Sequence, residues 1–152
     1  MKKKFCVLPT FLLVWTFTFA QKTEVLCNVI FKDKKIGVLR AEEITSELES
    51  YKTLSIKTKT RFLFIPIRIA SEVRTTQKNG ILIKGTAYRN ASFKSRDISA
   101  KVTMIGYSRY QLERNGVKDK IKNERITFCV VDLYFREPID VTQVFSNMFA
   151  EM

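Results

Sequence analysis

The side chains best placed to do chemistry are three carboxylates near the C-terminus, Asp132, Glu137 and Asp140. Asp132 interrupts the apolar run ITFCVVDLYF, and Glu137 and Asp140 flank Pro138. An acid enclosed by apolar neighbours is a candidate general acid or base. The commoner use of such a residue is structural, with its carboxylate bonded to a neighbouring strand or paired with a lysine, and that reading is preferred for Asp132. Asp140 suits the N-cap of the segment that follows it. The chain has no histidine, which removes Ser-His-Asp and Cys-His nucleophiles, the usual zinc ligand sets and the commonest general base near neutral pH. Its five glycines, Gly37, Gly80, Gly85, Gly106 and Gly116, are scattered singly and build no phosphate-cradling loop. No catalytic, cofactor-binding or metal-binding residue is therefore assigned, no cofactor is expected, and the protein is expected not to be an enzyme.

Cys27 and Cys129 lie near opposite ends of the chain. In an oxidising compartment they could pair and join the first and last strands. The alternative, which we prefer, is two buried free thiols acting as small hydrophobes.

The other chemically suggestive pattern is cationic. Lys57, Lys59 and Arg61 alternate along one extended stretch, and Lys118, Lys120 and Lys122 repeat the spacing later. Such stripes fit anionic lipid head groups or lipopolysaccharide. Nucleic acid is not expected, because aromatic side chains are not interleaved with the cations. The plainest reading is a solvated strand face on which lysine discourages edge pairing.

These residues need elements to carry them. Ile126–Phe135 reads as a central strand about 33 Å long, with Thr127, Cys129, Val131, Leu133 and Phe135 on one face. Pro138 lacks the N–H a ladder needs and should end it. Earlier, Glu24–Phe31 is a strand, Lys32–Lys35 a charged turn and Ile36–Arg40 a returning strand, while Ala41–Tyr51 reads as a loop. Leu54–Ala70 is one long strand or two. Its apolar face changes parity midway, which a bulge or bend near Ile65-Pro66 would explain. Ser71–Gln77 and Ile81–Arg89 flank Asn79-Gly80, a hairpin signal because both residues tolerate positive φ. Gly85 marks a weak point or bulge in the second of these strands. Phe93-Lys94 begins a further strand after a turn at Asn90-Ala91, where Asn90-Ala91-Ser92 also matches a glycosylation sequon. Ala100–Tyr107 and Tyr110–Arg114 end at a second Asn-Gly, Val117–Glu124 is an exposed charged connection, and Val141–Phe149 suits a short amphipathic helix. Strands at roughly ten-residue spacing with Asn-Gly turns predict an all-β antiparallel meander, curled into a barrel or half-barrel.

The N-terminus predicts the compartment. Met1-Lys2-Lys3-Lys4 is followed by the uncharged run Phe5–Phe19 and by Ala20, the head, apolar core and cleavage site of a secretory signal peptide. The alternative is an uncleaved anchor, but fifteen apolar residues fall short of the ~20 that a spanning helix needs. Cleavage would leave residues 21–152 as a single β-rich domain in the periplasm or outside the cell, with no stable transmembrane segment. Three of the 27 basic residues lie in the leader and none of the 15 acidic ones, so the remainder carries a net charge of +9.

An early strand ending in Ile36-Gly37, the run Arg61-Phe62-Leu63-Phe64, and Lys78-Asn79-Gly80-Ile81-Leu82 form one part of a recognisable pattern. Asp132–Pro138 (DLYFREP) with Val144-Phe145-Ser146 completes it. Together they resemble domain-of-unknown-function family 6134, secreted β-rich proteins of Gram-negative bacteria. The resemblance implies export and a β-rich fold and supplies no reaction. It also implies a longer protein, with further strands beyond the Val-Phe-Ser segment, so the domain is expected to be incomplete at its C-terminus.

The function these readings support is that of an exported, non-enzymatic protein binding a hydrophobic or anionic envelope component. A curled sheet lined by Phe62, Phe64, Ile65, Phe128 and Leu133 would leave an interior pocket for an acyl chain, unless those side chains fill it. A structural or protein-interaction module of the envelope is the alternative, its partner unknown. A membrane-spanning barrel fits poorly, because Lys57, Lys59 and Arg61 interrupt what should be an apolar outward band.

Overall fold

The computed structural model describes residues 20–62, 64–92 and 97–151. The leader up to Phe19 and the strand start expected at Phe93-Lys94 lie outside them. Eight strands follow one another: β1 (Gln21–Phe31), β2 (Lys34–Thr45), β3 (Glu49–Phe62), β4 (Ile65–Lys78), β5 (Ile81–Ala91), β6 (Ile98–Gly106), β7 (Arg109–Arg114) and β8 (Val117–Lys122). Each is antiparallel to the next, and their order in the sheet is their order in the chain. The expected all-β meander is therefore the fold, with β1 and β8 as two edges. The sheet curls into a half-barrel and does not close.

Tight turns impose this topology. At Asn79-Gly80 and Asn115-Gly116 both residues have positive φ (50° and 73°, 49° and 84°), as a type I′ turn requires of a two-residue hairpin. Lys32-Asp33 reaches the same geometry (48° and 60°) without a glycine, so the charged turn is confined to two residues.

Several boundaries differ from the sequence reading. The parity change within Leu54–Ala70 comes from a complete reversal of the chain between Phe62 and Ile65, which pair with each other. The antiparallel pairing puts the even positions Ile56, Thr58 and Thr60 on the same face as the odd positions Ile65, Ile67 and Ile69, the parity change a bulge would also produce. Pro66 is tolerated because β5 ends opposite Ile69, so its missing N–H removes no ladder bond on that side. Ala41–Tyr51 is mostly strand, with only residues 46–48 between β2 and β3. Val117–Glu124 is not a connection. Most of it is β8, the edge strand. Asn90 and Ala91 belong to β5 and not to a turn, and the bulge expected at Gly85 lies just before it, where Gln77 pairs with Leu82 and Thr76 with Lys84.

The largest correction concerns Ile126–Phe135, which is not a central strand. It crosses the concave face of the sheet as an irregular segment, turning into a 3-10 helix at Val130–Tyr134. A parallel bridge joins Cys129 to Phe145, with Val130 N–H donating to Phe145 O (3.0 Å) and Phe145 N–H to Phe128 O (2.9 Å), and Leu82 N–H of β5 donates to Ile126 O (2.8 Å). An apolar run of this length reads alike whether it is a strand or a buried plug, because both faces lack solvent. Val141–Phe149 is likewise not a helix. It is an irregular return pass ending in turns, and Asp140, at φ 55°, caps nothing helical.

These two passes complete the core. Ile126, Cys129, Val131 and Phe145 are buried in one cluster with Leu39 and Ala41 of β2, Leu54 of β3, Leu82 of β5, Val102 of β6, and Tyr110 and Leu112 of β7. Side chains of five strands converge on this plug with Phe128, also buried, beside them. Burial on this scale, at about 25 cal/mol per Å² of apolar surface, is what holds the sheet curled.

Candidate functional site

Asp132 is fully buried (0% exposed) at the centre of a polar network. On β3, Lys52 shares the inward parity of Leu54, and its ammonium pairs with Asp132 Oδ1. Lys52 Nζ also donates to Gln77 Oε1 of β4 (2.8 Å) and lies 3.3 Å from Glu43 Oε1 of β2. Gln77 Nε2 donates to Asp132 Oδ2 (3.0 Å), and so does the backbone N–H of Cys129 (2.6 Å). Arg136 Nη2 stands 3.4 Å from Oδ1 on the solvent side. Asp132 therefore closes its own 3-10 turn and ties that turn to two strands. A side-chain bond to its own backbone competes with strand pairing, which is one cause of the misread strand.

This network latches the plug onto the sheet. Its carboxylate is surrounded by donors, and both of the other acids singled out from the sequence, Glu137 and Asp140, are exposed. The geometry does not gather the three into a carboxylate pair. Among the described residues no group of three or more His, Cys, Asp or Glu side chains could hold a metal ion. Lys52 and Gln77 were not singled out from the sequence. The available signal was parity: Lys52 falls in step with Leu54 and Ile56, not with Lys57 and Lys59.

Of the three cysteines, Cys6 lies outside the described residues, and Cys27 and Cys129 are free. Cys129 is buried, and burial, helped by the Asp132 charge, pushes its thiol up to about 12. Cys27 is exposed, contrary to the expectation that both would be buried.

The expected interior pocket is absent among the described residues that were to line it. Phe64 is 97% exposed, Ile65 52% and Leu133 47%, while Phe128 belongs to the plug. The concave face is occupied by the protein's own C-terminal segment.

The convex face differs. Lys57 of β3 stands opposite Val38 of β2 and Ala70 of β4, Lys59 opposite Arg68, and Asn90 of β5 opposite Ala70. These six residues surround an open groove of about 510 Å³, floored by Val38 and Ala70 and walled by the three cations. The side chains of Lys57, Lys59 and Arg68 make no ion pair among the described residues, and no acid lines the groove. The later stripe is not equivalent, because Lys118 stands opposite Glu113, and Lys118 and Lys120 share a hollow with Asp119. Among the described residues no helix is long and apolar enough to cross a membrane.

The family described as "Domain of unknown function (DUF6134)" matches residues 28–152. The chain belongs to this family. The matched region holds every strand from β2 onward, the groove, and the whole Lys52–Asp132 network. The family description supplies no activity. Comparison with curated proteins found no match, and comparison with solved structures found none.

Proposed function

We propose that this protein is exported, is not an enzyme, and holds an anionic amphiphile of the cell envelope in the groove on its convex face. The observation that carries this reading is the set of three cations, Lys57, Lys59 and Arg68, left without acidic partners around the apolar floor of Val38 and Ala70. Cations in that setting suit a phosphate or carboxylate head, and the floor suits the first carbons of a chain. Export is supported by the leader-like pattern of Met1–Ala20. A non-enzymatic role is supported by the enclosure of Asp132 and the lack of histidine. Titration with decyl phosphate below its micelle concentration is expected to show saturable binding. Combining Lys57→Ala, Lys59→Ala and Arg68→Ala should weaken it by about tenfold or more. Binding that never saturates, or that ignores these substitutions, would reject the groove.

A second reading, a protein-interaction module, rests on β1. This eleven-residue edge strand has Leu26 and Ile30 exposed, and an unpaired edge is a template for another strand. Crosslinking in cells from an engineered cysteine on β1 should capture one reproducible protein if this reading is correct.

A further inference from the structure

At one end of the sheet the β1–β2 and β3–β4 hairpins run on separately past the last rung between β2 and β3. Pairing of β2 with β3 stops at Gly37 and Thr58, and pairing of β4 with β5 stops at Ile69 and Ala91. Arg68 is still tied to Ser92, whose N–H donates to Arg68 O (3.0 Å) and whose hydroxyl accepts from Arg68 N–H (2.7 Å). The three rungs beyond, Thr60 with Ile67, Arg61 with Pro66 and Phe62 with Ile65, stand as a two-stranded finger. At ~3.4 Å per residue these three rungs project about 10 Å. An isolated two-stranded ribbon is marginal in water unless one face is covered.

Its faces are unlike. Alternation places Lys59, Arg61 and Arg68 on one side and Thr60, Ile65 and Ile67 on the other. Phe64 sits at the tip, 97% exposed. No acidic residue occurs between Glu49 and Glu72. The neighbouring β1–β2 turn lies at the same end of the sheet and repeats the pattern. There Ile30 and Phe31 are 66% and 56% exposed beside Lys32, Lys34 and Lys35, with Asp33 as the single acid.

We infer that this end of the sheet docks on the surface of an anionic lipid bilayer, with Phe64 entering the interface and Phe31 beside it. An aromatic tip backed by cations matches the two layers it would meet. Apolar groups gain by leaving water at the acyl boundary, while lysine and arginine stay level with anionic head groups. Each basic residue held near such a surface adds to the attraction, and salt screens that share. The charge is what favours lipid over a second copy of this chain, whose same end would carry the same positive sign. The inference does not require the convex groove to be filled.

The chain from Gln21 contains every core and network residue described above and no tryptophan, so F64W is a unique reporter in it. With vesicles of phosphatidylglycerol and phosphatidylethanolamine, its emission should shift to the blue and be quenched by brominated acyl chains. Pure phosphatidylcholine vesicles should give neither effect. Phe64→Ser combined with Phe31→Ser should lower vesicle partitioning by about tenfold or more, with an unchanged unfolding midpoint and unchanged decyl phosphate binding. Failure of the unsubstituted chain to float with anionic vesicles at low salt would overturn the inference. Flotation that survives the double serine variant, or that leaves the F64W reporter unshifted, would also overturn it, pointing to cation binding elsewhere such as β8. Self-association of the unsubstituted chain that the serine variant abolishes, without vesicle binding, would assign the tip to a second copy instead.

Discussion

Lys52 and Asp132, eighty residues apart in the chain, form an ion pair buried between the sheet and the segment that fills its concave face. Each also has a second, longer ion pair: Glu43 lies 3.3 Å from the ammonium and Arg136 3.4 Å from the carboxylate. A pair enclosed in this way holds two pieces of chain in one register.

Removing one member should be costly. Lys52→Met leaves a buried carboxylate without its main cation, and a loss of about 3–5 kcal/mol is expected in urea unfolding. The double variant Lys52→Met, Asp132→Leu should lose clearly less than the two single losses combined, because neither member of the buried pair is left facing the other's absence. Simple additivity would contradict the latch.

The two thiols should behave differently. In the folded chain from Gln21, Cys27 is expected to react with a water-soluble disulfide reagent and Cys129 to wait for unfolding, since a buried thiol held up to about 12 offers little thiolate. Equal reaction rates, or an internal disulfide found by mass, would be inconsistent with this arrangement.

Alkali should destabilise the fold. The Cys129 thiol is raised from 9.0 to about 12, so above pH 9 the unfolded chain gives up a proton that the folded chain keeps. The stability from this group is complete below pH 9 and disappears as pH rises to about 12, a loss on the order of 4 kcal/mol. Burial also raises the Tyr110 hydroxyl, which adds in the same direction. Cys129→Ala should flatten the pH profile between 9 and 12, and an unchanged slope would argue against the assignment.

Gly85 should resist substitution. A Cβ there would run into the Asn147 amide and approach Val102 Cγ1 to 2.8 Å. Gly85→Ala is expected to cost about 1–3 kcal/mol by overpacking. Adding Asn147→Ala should recover part of this, because neither polar atom of Asn147 has a hydrogen-bond partner among the described residues. If the second substitution makes matters worse, the close approach is not the cause.

Much of the sheet was legible because its signals are local. Alternation of side chains and the two Asn-Gly pairs act within a few residues, so β1, β5, β6 and β7 could be read without knowing what lay beside them, whereas β4 (Ile65–Lys78) was divided at Ser71. The Lys57–Lys59–Arg61 stripe was legible for the same reason. Arg68, Val38 and Asn90, which turn part of that stripe into a groove, were not, because they arrive from neighbouring strands through pairing.

The sequence by itself determined an extended, antiparallel chain with lysines on one side of its strands and apolar residues on the other. Tertiary structure alone decided what would cover the concave face. Ile126–Phe135 has the composition of a strand, yet the eight earlier segments already pair with one another in chain order and leave an apolar hollow. Filling that hollow buries more of the segment than an edge position on the sheet would. Which lysine would face inward was decided there too, because an ammonium in the core is tolerated only where a carboxylate from the plug meets it.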